Sequence, residues 1–304
     1  MTFRVVCIKC FRGLITLWFI ATFVFVVLRI SGDPAALMLP DDAPPDVVEH
    51  YRVLWGLDAP LAEQYVRYVA SVLQGDFGIS FREGRPALDV VLERVPATLQ
   101  LGSVSLIFAA ALGIPAGILA AFARNTPLDR IITAGSVAGY SMPNFFLGIL
   151  LIMMFSLHLR LLPSAGYGGI AFMIMPALTL GTSTMGVLAR FTRSSVLDVL
   201  GQPYVLAARA KGVPLLRNVI CHIMPNAAIP VVTMLGLQAG AIIGGALVTE
   251  TVFAWPGIGR LLVISVSIRD LAVVQTVVLI VGASMVLVNL AVDLLYARLD
   301  PRLS

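Results

Sequence analysis

Residues 99–122 read LQLGSVSLIFAAALGIPAGILAAF, twenty-four positions without a charged side chain. A helix needs about 20 mostly apolar residues to cross the roughly 30 Å hydrocarbon layer of a bilayer, and this stretch supplies them. Working outward from it, five further stretches have the same character: Phe11–Leu28, Ile131–Leu157, Phe172–Arg190, Ala227–Thr249 and Val273–Tyr296. Six transmembrane helices in an all-α integral membrane protein is the expected architecture. The whole-chain composition agrees. Of 304 residues, 59% are hydrophobic and 12% charged, and mean hydropathy is +0.94, against about 45–50% apolar and about 25% charged residues in a soluble domain. A soluble enzyme, a disordered chain and a disulfide-stapled secreted module are excluded.

Within the spans, Pro115, Pro143, Pro176 and Pro230 are tolerable where neighbouring helices satisfy the freed backbone groups. Gly113/Gly117, Gly135/Gly139 and Gly236/Gly240/Gly244 repeat the G-x-x-x-G spacing that allows helices to approach closely in lipid. Ordinary packing within the bundle accounts for each pair taken alone. The first span follows Arg4, Lys9 and Arg12, so a cleaved signal peptide is the competing reading. Arg29 and Gly32-Asp33-Pro34 come before any A-x-A site, which favours an uncleaved signal-anchor helix.

Charge is segregated. Between Ser31 and Val95 eleven acids face five arginines, a net −6, whereas the remainder has sixteen basic against six acidic residues, a net +10. Those basic residues sit in short clusters between apolar runs, not on one solvated face as in nucleic-acid binders. With the N-terminus inside, twelve of them fall on the inner side, and the two short outer loops hold only Arg160, Arg260 and Arg269. Both termini are therefore expected in the cytoplasm, with the long acidic segment outside. That segment is punctuated by Pro44-Pro45 and Asp58-Ala59-Pro60, and Leu61, Tyr65, Tyr68 and Val72 fall at near-helical spacing. It reads as a small extracytoplasmic helical cap. The expected organisation is then 1–95, a first helix plus cap, and 96–304, a five-helix core containing an inner loop over 191–226.

Reactive groups are sparse. Cys7 and Cys10 form a C-x-x-C without a second pair, so a membrane-edge role outweighs a metal or redox one. His50, His158 and His222 lie in three different regions, and neither Lys9 nor Lys211 ends a G-x-x-x-x-G-K-[ST] loop. No metal site and no ATP cradle are expected in this chain. Ionisable residues in spans are functional suspects: Glu250 stands at the outer end of the fifth span and Asp293 one turn after Asn289 in the sixth. Both lie near interfaces, where a hydrated cap or an interhelical hydrogen bond explains them as well as a proton relay does.

The inner loop carries the most information. Tyr204-Val-Leu-Ala207-Ala208-Arg209-Ala210-Lys211 is a mixed apolar and basic helix candidate that reaches Gly212, where a helix stops. Such a helix docks on a membrane surface or in a protein groove. Its wording resembles the EAA motif of ABC-importer permeases, E-A-A-x-x-x-G followed by I-x-L-P: Ala207, Ala208, Gly212 and Pro225 match, while Leu206, His222 and Met224 depart from the pattern. A-A-R-A-K-G with a later H-x-x-x-N (His222, Asn226) is similar to the form in dipeptide and oligopeptide permeases. So are Gly32-Asp33-Pro34-Ala35, Gly56-Leu57-Asp58-Ala59-Pro60-Leu61, Gly75-Asp76-Phe77-Gly78, Trp255-Pro256-Gly257 and Asp300-Pro301-Arg302, in order along the chain.

That resemblance implies a type I ABC-importer fold in a bacterial inner membrane. It implies a second permease subunit that shares the pathway, two ATPase subunits that bind ATP and Mg, and an extracytoplasmic substrate-binding protein. Residues Tyr204–Lys211 would be the coupling helix that lies on the ATPase, with Ala207 and Ala208 allowing close approach, Arg209 and Lys211 meeting acidic rims, Gly212 ending the helix and Pro225 preceding span five. Gly236, Gln238, Gly240, Gly244 and Glu250 would line the pathway. Peptides are the implied cargo; nickel complexes, glutathione, opines and oligosaccharides are carried on the same scaffold. A proton-coupled secondary carrier and a membrane-embedded enzyme are the other classes weighed.

Overall fold

The computed structural model describes residues 3–30, 44–54 and 56–299. Among them β structure is limited to one bridge between Ile79 and Pro86. The long first helix α1 (Phe3–Ile30) is followed by three shorter ones, α2 (Pro45–Leu54), α3 (Leu61–Leu73) and α4 (Ala87–Leu92), and then by α5 (Val95–Phe122). Next come α6 (Pro127–Ser141), α7 (Asn144–Leu151) with a π-helical continuation Ile152–His158, and α8 (Ile170–Leu200). Two short helices, α9 (Pro203–Ala210) and α10 (Leu215–Asn218), lead through a π turn Val219–Ile223 into α11 (Met224–Val252), and α12 (Ile258–Ser267) and α13 (Leu271–Leu299) complete the chain.

Among the described residues, five helical runs are long and apolar enough to cross a membrane, and a sixth crossing results if the bent pair α6–α7 counts as one. That pair corrects the third expected span: the chain turns by 101° between Ser141 and Asn144 instead of running straight over 131–157. The cause is local. Pro143 disfavours helical backbone in the residue before it, and Met142 is extended, with ψ 125°. Pro115, Pro176 and Pro230 lie inside unbroken helices. Two boundaries also move. The fourth helix continues ten residues beyond Arg190 to Leu200, so the loop expected from 191 begins at Gly201; the fifth starts at Met224, which puts Pro225 inside its first turn.

α8 is the hub. A Cβ on Gly113 or Gly117 of α5 would strike the backbone of α8 at Met185 and Ala189, and one on Gly186 would strike the Ser136 carbonyl of α6. Small-residue rows let these backbones approach, and dispersion between tightly fitted surfaces replaces the hydrophobic drive that lipid cannot supply. On the other side, Gly236, Gly240 and Gly244 of α11 lie against Val292, Val288 and Met285 of α13, and Gly13 and Gly282 join α1 to α13.

The acidic stretch is only partly a cap. Ala87, Val90 and Val91 of α4 are fully enclosed among Ile258, Val273 and Val277, so α4 belongs to the bundle core and the apolar run continues from Ala87 to Phe122. Gly32-Asp33-Pro34-Ala35, Asp300-Pro301-Arg302 and the side chain of Asp293 lie outside the described residues.

Replacing Gly117 with Val tests the α5–α8 contact. Overpacking of this kind costs about 1–3 kcal/mol, so the purified variant should melt several degrees lower in detergent; an unchanged melting temperature would show that the two backbones are not in contact.

Candidate functional site

The connector between α8 and α11 is a built surface. Val205 and Ala208, one helical turn apart on α9, face inward, and Val205 joins Ala121, Val196, Ile223 and Ala227 in a closed apolar cluster. Asn218 is fully buried behind α9, and its Nδ2 donates to the Val205 carbonyl at 3.5 Å. The helix ends in a Schellman arrangement: the Gly212 N–H donates to the Arg209 carbonyl at 3.0 Å and the Val213 N–H to the Ala208 carbonyl at 3.1 Å. Gly212 has φ +72°, a left-handed conformation that glycine adopts without strain.

What remains outside is a ridge. Tyr204, Leu206, Leu215 and Leu216 are 44–72% exposed, and Ala207, Arg209, Ala210, Lys211 and Arg217 are exposed beside them. Between Pro203 and Arg217 there are three basic residues and no acid. An exposed apolar strip rimmed by one sign of charge marks a protein interaction surface. One detail differs from the sequence expectation. Only Ala207 of the alanine pair is on the ridge; Ala208 is 9% exposed and packs inward. Pro225 is exposed at the first turn of α11.

Two polar arrangements anchor the helices, one at each end of the bundle. At the end that carries the ridge, Arg193 of α8 forks onto Asp129 of α6, Nε to Oδ1 at 2.6 Å and a terminal nitrogen to Oδ2 at 2.8 Å, while the Asn125 N–H donates to Oδ2 at 3.0 Å. Sequence reasoning missed this pair. The available signal was Thr126-Pro127-Leu128-Asp129, a helix-start pattern.

At the opposite end, Glu250 is fully enclosed. Its Oε1 accepts from Thr98 Oγ1 at 2.6 Å, and its Oε2 accepts from the N–H groups of Gly259 and Arg260 at 2.8 and 3.1 Å. Thr98 Oγ1 accepts in turn from the Ile258 N–H at 2.8 Å, and Trp255 Nε1 donates to the Ala97 carbonyl at 2.8 Å. A Cβ on Gly257 would overlap the Glu250 carboxylate, and one on Gly259 would overlap Leu247, which explains the two glycines of W-P-G-I-G. Glu250 thus ties α5, α11 and the start of α12 together. The sequence expectation put Glu250 on the pathway; in the structure its side chain has no exposure. The expected pathway glycines Gly236, Gly240 and Gly244 face α13, as described above, and Gln238 is half-buried.

Near this knot, Ser80 Oγ donates to Asp270 Oδ2 at 2.6 Å in a buried pair. Arg85 forks onto Glu93 at 2.5 and 2.6 Å, and the Glu93 carboxylate, then Glu83, holds the half-buried Arg85 guanidinium further above its ordinary range. Among the described residues no three metal-ligating side chains converge.

Residues 113–304 match the family described as binding-protein-dependent transport system inner membrane component, and residues 2–102 match the N-terminal part of such membrane components. The chain belongs to this permease family. The permease is 45% identical over 296 residues, 97% of each chain, to the glutathione transport system permease protein GsiC of Escherichia coli (strain K12), and equally to GsiC of Shigella dysenteriae serotype 1 (strain Sd197). In fold it is similar to a chain of the inward-facing MetNI methionine ABC transporter, with TM-score 0.61 and 21% identity over 69% of this chain and 96% of that one. An amino acid ABC transporter solved with histidines gives TM-score 0.57 and 17% identity, over 69% and 94% of the two chains. The permease is accordingly an inner-membrane subunit of an ABC importer of the peptide-type family, the transporting and not the catalytic component.

The knot has a simple test. Glu250→Ala leaves the Gly259 and Arg260 N–H groups and the Thr98 hydroxyl without their acceptor, and each buried orphan costs about 1–3 kcal/mol. Its melting temperature in detergent should fall further than that of Thr98→Val; equal stability of Glu250→Ala and the parent would show that the network does not hold the helices.

Proposed function

We propose that this permease forms half of the translocation pathway of an ATP-driven importer of short peptides, with the α9–α10 ridge as its contact to the ATPase subunits. The ridge carries this reading: an exposed apolar strip with a basic rim, fixed from behind by Val205 and Asn218, at the positions that match the permease coupling motif. A second permease subunit would supply the other half of the pathway and an extracytoplasmic binding protein the cargo. On this reading both termini and the ridge lie in the cytoplasm, and the Glu250 knot lies at the outer face. The chain divides into residues 1–95 and a core of 96–304, joined by α4.

For the cargo, a short peptide is favoured, and glutathione is the specific candidate because the relatives at 45% identity bear that name. A proton-coupled carrier is disfavoured at Glu250, whose two carboxylate oxygens are already taken by three donors.

Transport by the reconstituted complex is the direct measurement. Uptake of labelled glutathione or a tripeptide should require ATP and the binding protein, and should survive collapse of the proton gradient; uptake by this chain alone would overturn the reading. Reversing the rim with Arg209→Glu and Lys211→Glu together, or placing a charge on its apolar strip with Leu206→Asp, should lower uptake at least tenfold and release the ATPase subunits on purification. Gly212→Val should act more gently. Nothing lies within 4 Å of a Cβ there, so its effect is backbone strain of about 1–2 kcal/mol and a shifted end of α9, read as reduced ATPase stimulation in a chain that still reaches the membrane.

A further inference from the structure

Three helices at one edge of the bundle leave a gap. α1, α3 and α13 surround an apolar cavity of about 310 Å3, walled by Leu17, Trp18 and Ala21 of α1, Leu73 of α3, and Leu279 and Ala283 of α13. Phe77, in the turn after α3, lines this cavity and also a polar one of about 250 Å3 bordered by Arg29, Arg67, Tyr68 and Gln275.

The surroundings decide what fills the gap. A cavity without polar partners does not hold water, and two of its walls are membrane-spanning helices. α3 itself is three-sided. Tyr65 and Tyr68 turn inward onto the Phe25 ring, at 5.3 and 5.4 Å between centroids. Glu63, Arg67 and Ser71 form a polar side. Ala62, Val66, Ala70 and Leu73 form an exposed apolar side, with Val66 at 65% and Leu73 at 82% exposure. A helix of this pattern lies along the membrane interface with its apolar side among acyl chains.

Depth agrees with this placement. Trp18 stands about 16 Å below Arg29 along α1 at roughly 1.5 Å per residue, close to half of the roughly 30 Å hydrocarbon layer. The collar's charged lining is Arg29, Arg67 and Asp76, and Arg67, which also pairs with Glu63, keeps further N–H donors for a phosphate.

We propose that this gap is a phospholipid site. One acyl chain occupies the cavity beneath Leu73 and Phe77, and the phosphate of the same lipid lies at the collar of Arg29 and Arg67. The lipid belongs to the leaflet bordered by Ile30 and Leu271, and it completes the seam between α1 and α13 that α3 leaves open.

The test uses the permease purified with its partner subunits in detergent, with phosphatidylglycerol as the added probe. Native mass spectrometry should find one phospholipid per permease chain that survives detergent washing. Ala21→Leu and Ala283→Leu each fill the cavity, and each should lower that retention at least threefold while the complex stays assembled. Without any cavity substitution, phosphatidylglycerol brominated on its acyl chains should quench Trp18 emission in the washed complex, a signal that Trp18→Phe removes. Equal retention in the parent and both filled variants, or no Trp18 quenching in the washed complex, overturns the proposal.

Discussion

Gly113 and Gly117 allow α5 to lie directly on the Met185 and Ala189 carbonyls of α8, and Gly186 brings α6 equally close on the other side. Hydrocarbon solvent gives no advantage to burying apolar side chains against one another. What holds such a bundle is contact area at short range, which only small residues at the crossing points allow. The placement of the other elements follows from this pairing. α8 becomes the hub, α11 packs on its far side, and α13 closes on α11 through a second glycine row. A methyl group at one of these crossings would separate backbones along the whole helix, because a rigid helix cannot yield at a single turn.

Two polar clusters in this setting are built from groups that satisfy one another. Hydrocarbon has no donors or acceptors to offer, so a charged side chain must find its partners within the protein. Asp129 and Arg193 satisfy one another beside the Asn125 N–H, and the pair fixes the start of the bent α6–α7 unit on α8. Glu250 does the same at the opposite end with donors from α5 and α12. Each cluster joins elements distant in sequence and specifies one arrangement, where apolar contacts alone would tolerate sliding.

Most of the architecture was legible because lipid imposes length and composition on every crossing. Five of the six expected spans are helices, three of them within about four residues of their expected limits, while the first begins eight residues earlier and the fourth ends ten residues later. The sixth failed at Pro143 for a reason visible beforehand, since its predecessor must leave the helical region; Pro115, Pro176 and Pro230 carry the same sequence signal without breaking their helices, and tertiary packing decides between these outcomes. The ridge was legible as a helix ending at Gly212, but the side it presents was not. Ala207 and Ala208 are adjacent and chemically identical, and only the buried Val205, one turn before Ala208, shows which of them turns inward. Glu250 was visible as an anomaly, an acid at the end of a span. Its partners could not be read from the sequence, because Thr98 lies 152 residues away. The local signal was in Gly257 and Gly259, whose missing Cβ atoms leave room for the carboxylate and for Leu247.

α11 connects the two ends of this account. It begins at the π turn behind the ridge, with Ile223 and Ala227 packed on Val205, and ends at Glu250 in the opposite knot. At roughly 1.5 Å per residue its 29 residues form a rod of about 43 Å, longer than the hydrocarbon layer is thick. Both ends are clamped differently. The end at the ridge rests on non-directional apolar contacts shared with Ala121 of α5 and Val196 of α8, whereas the far end is held by directional hydrogen bonds to α5 and α12. On the proposed reading, a displacement of the ridge by an ATPase partner would be carried to the far end as a pivot of α11 about the Glu250 knot, with α13 following through the glycine row. Alternating access by rigid-body rocking would then use α11 as a stiff rod driven at the ridge and anchored at the knot.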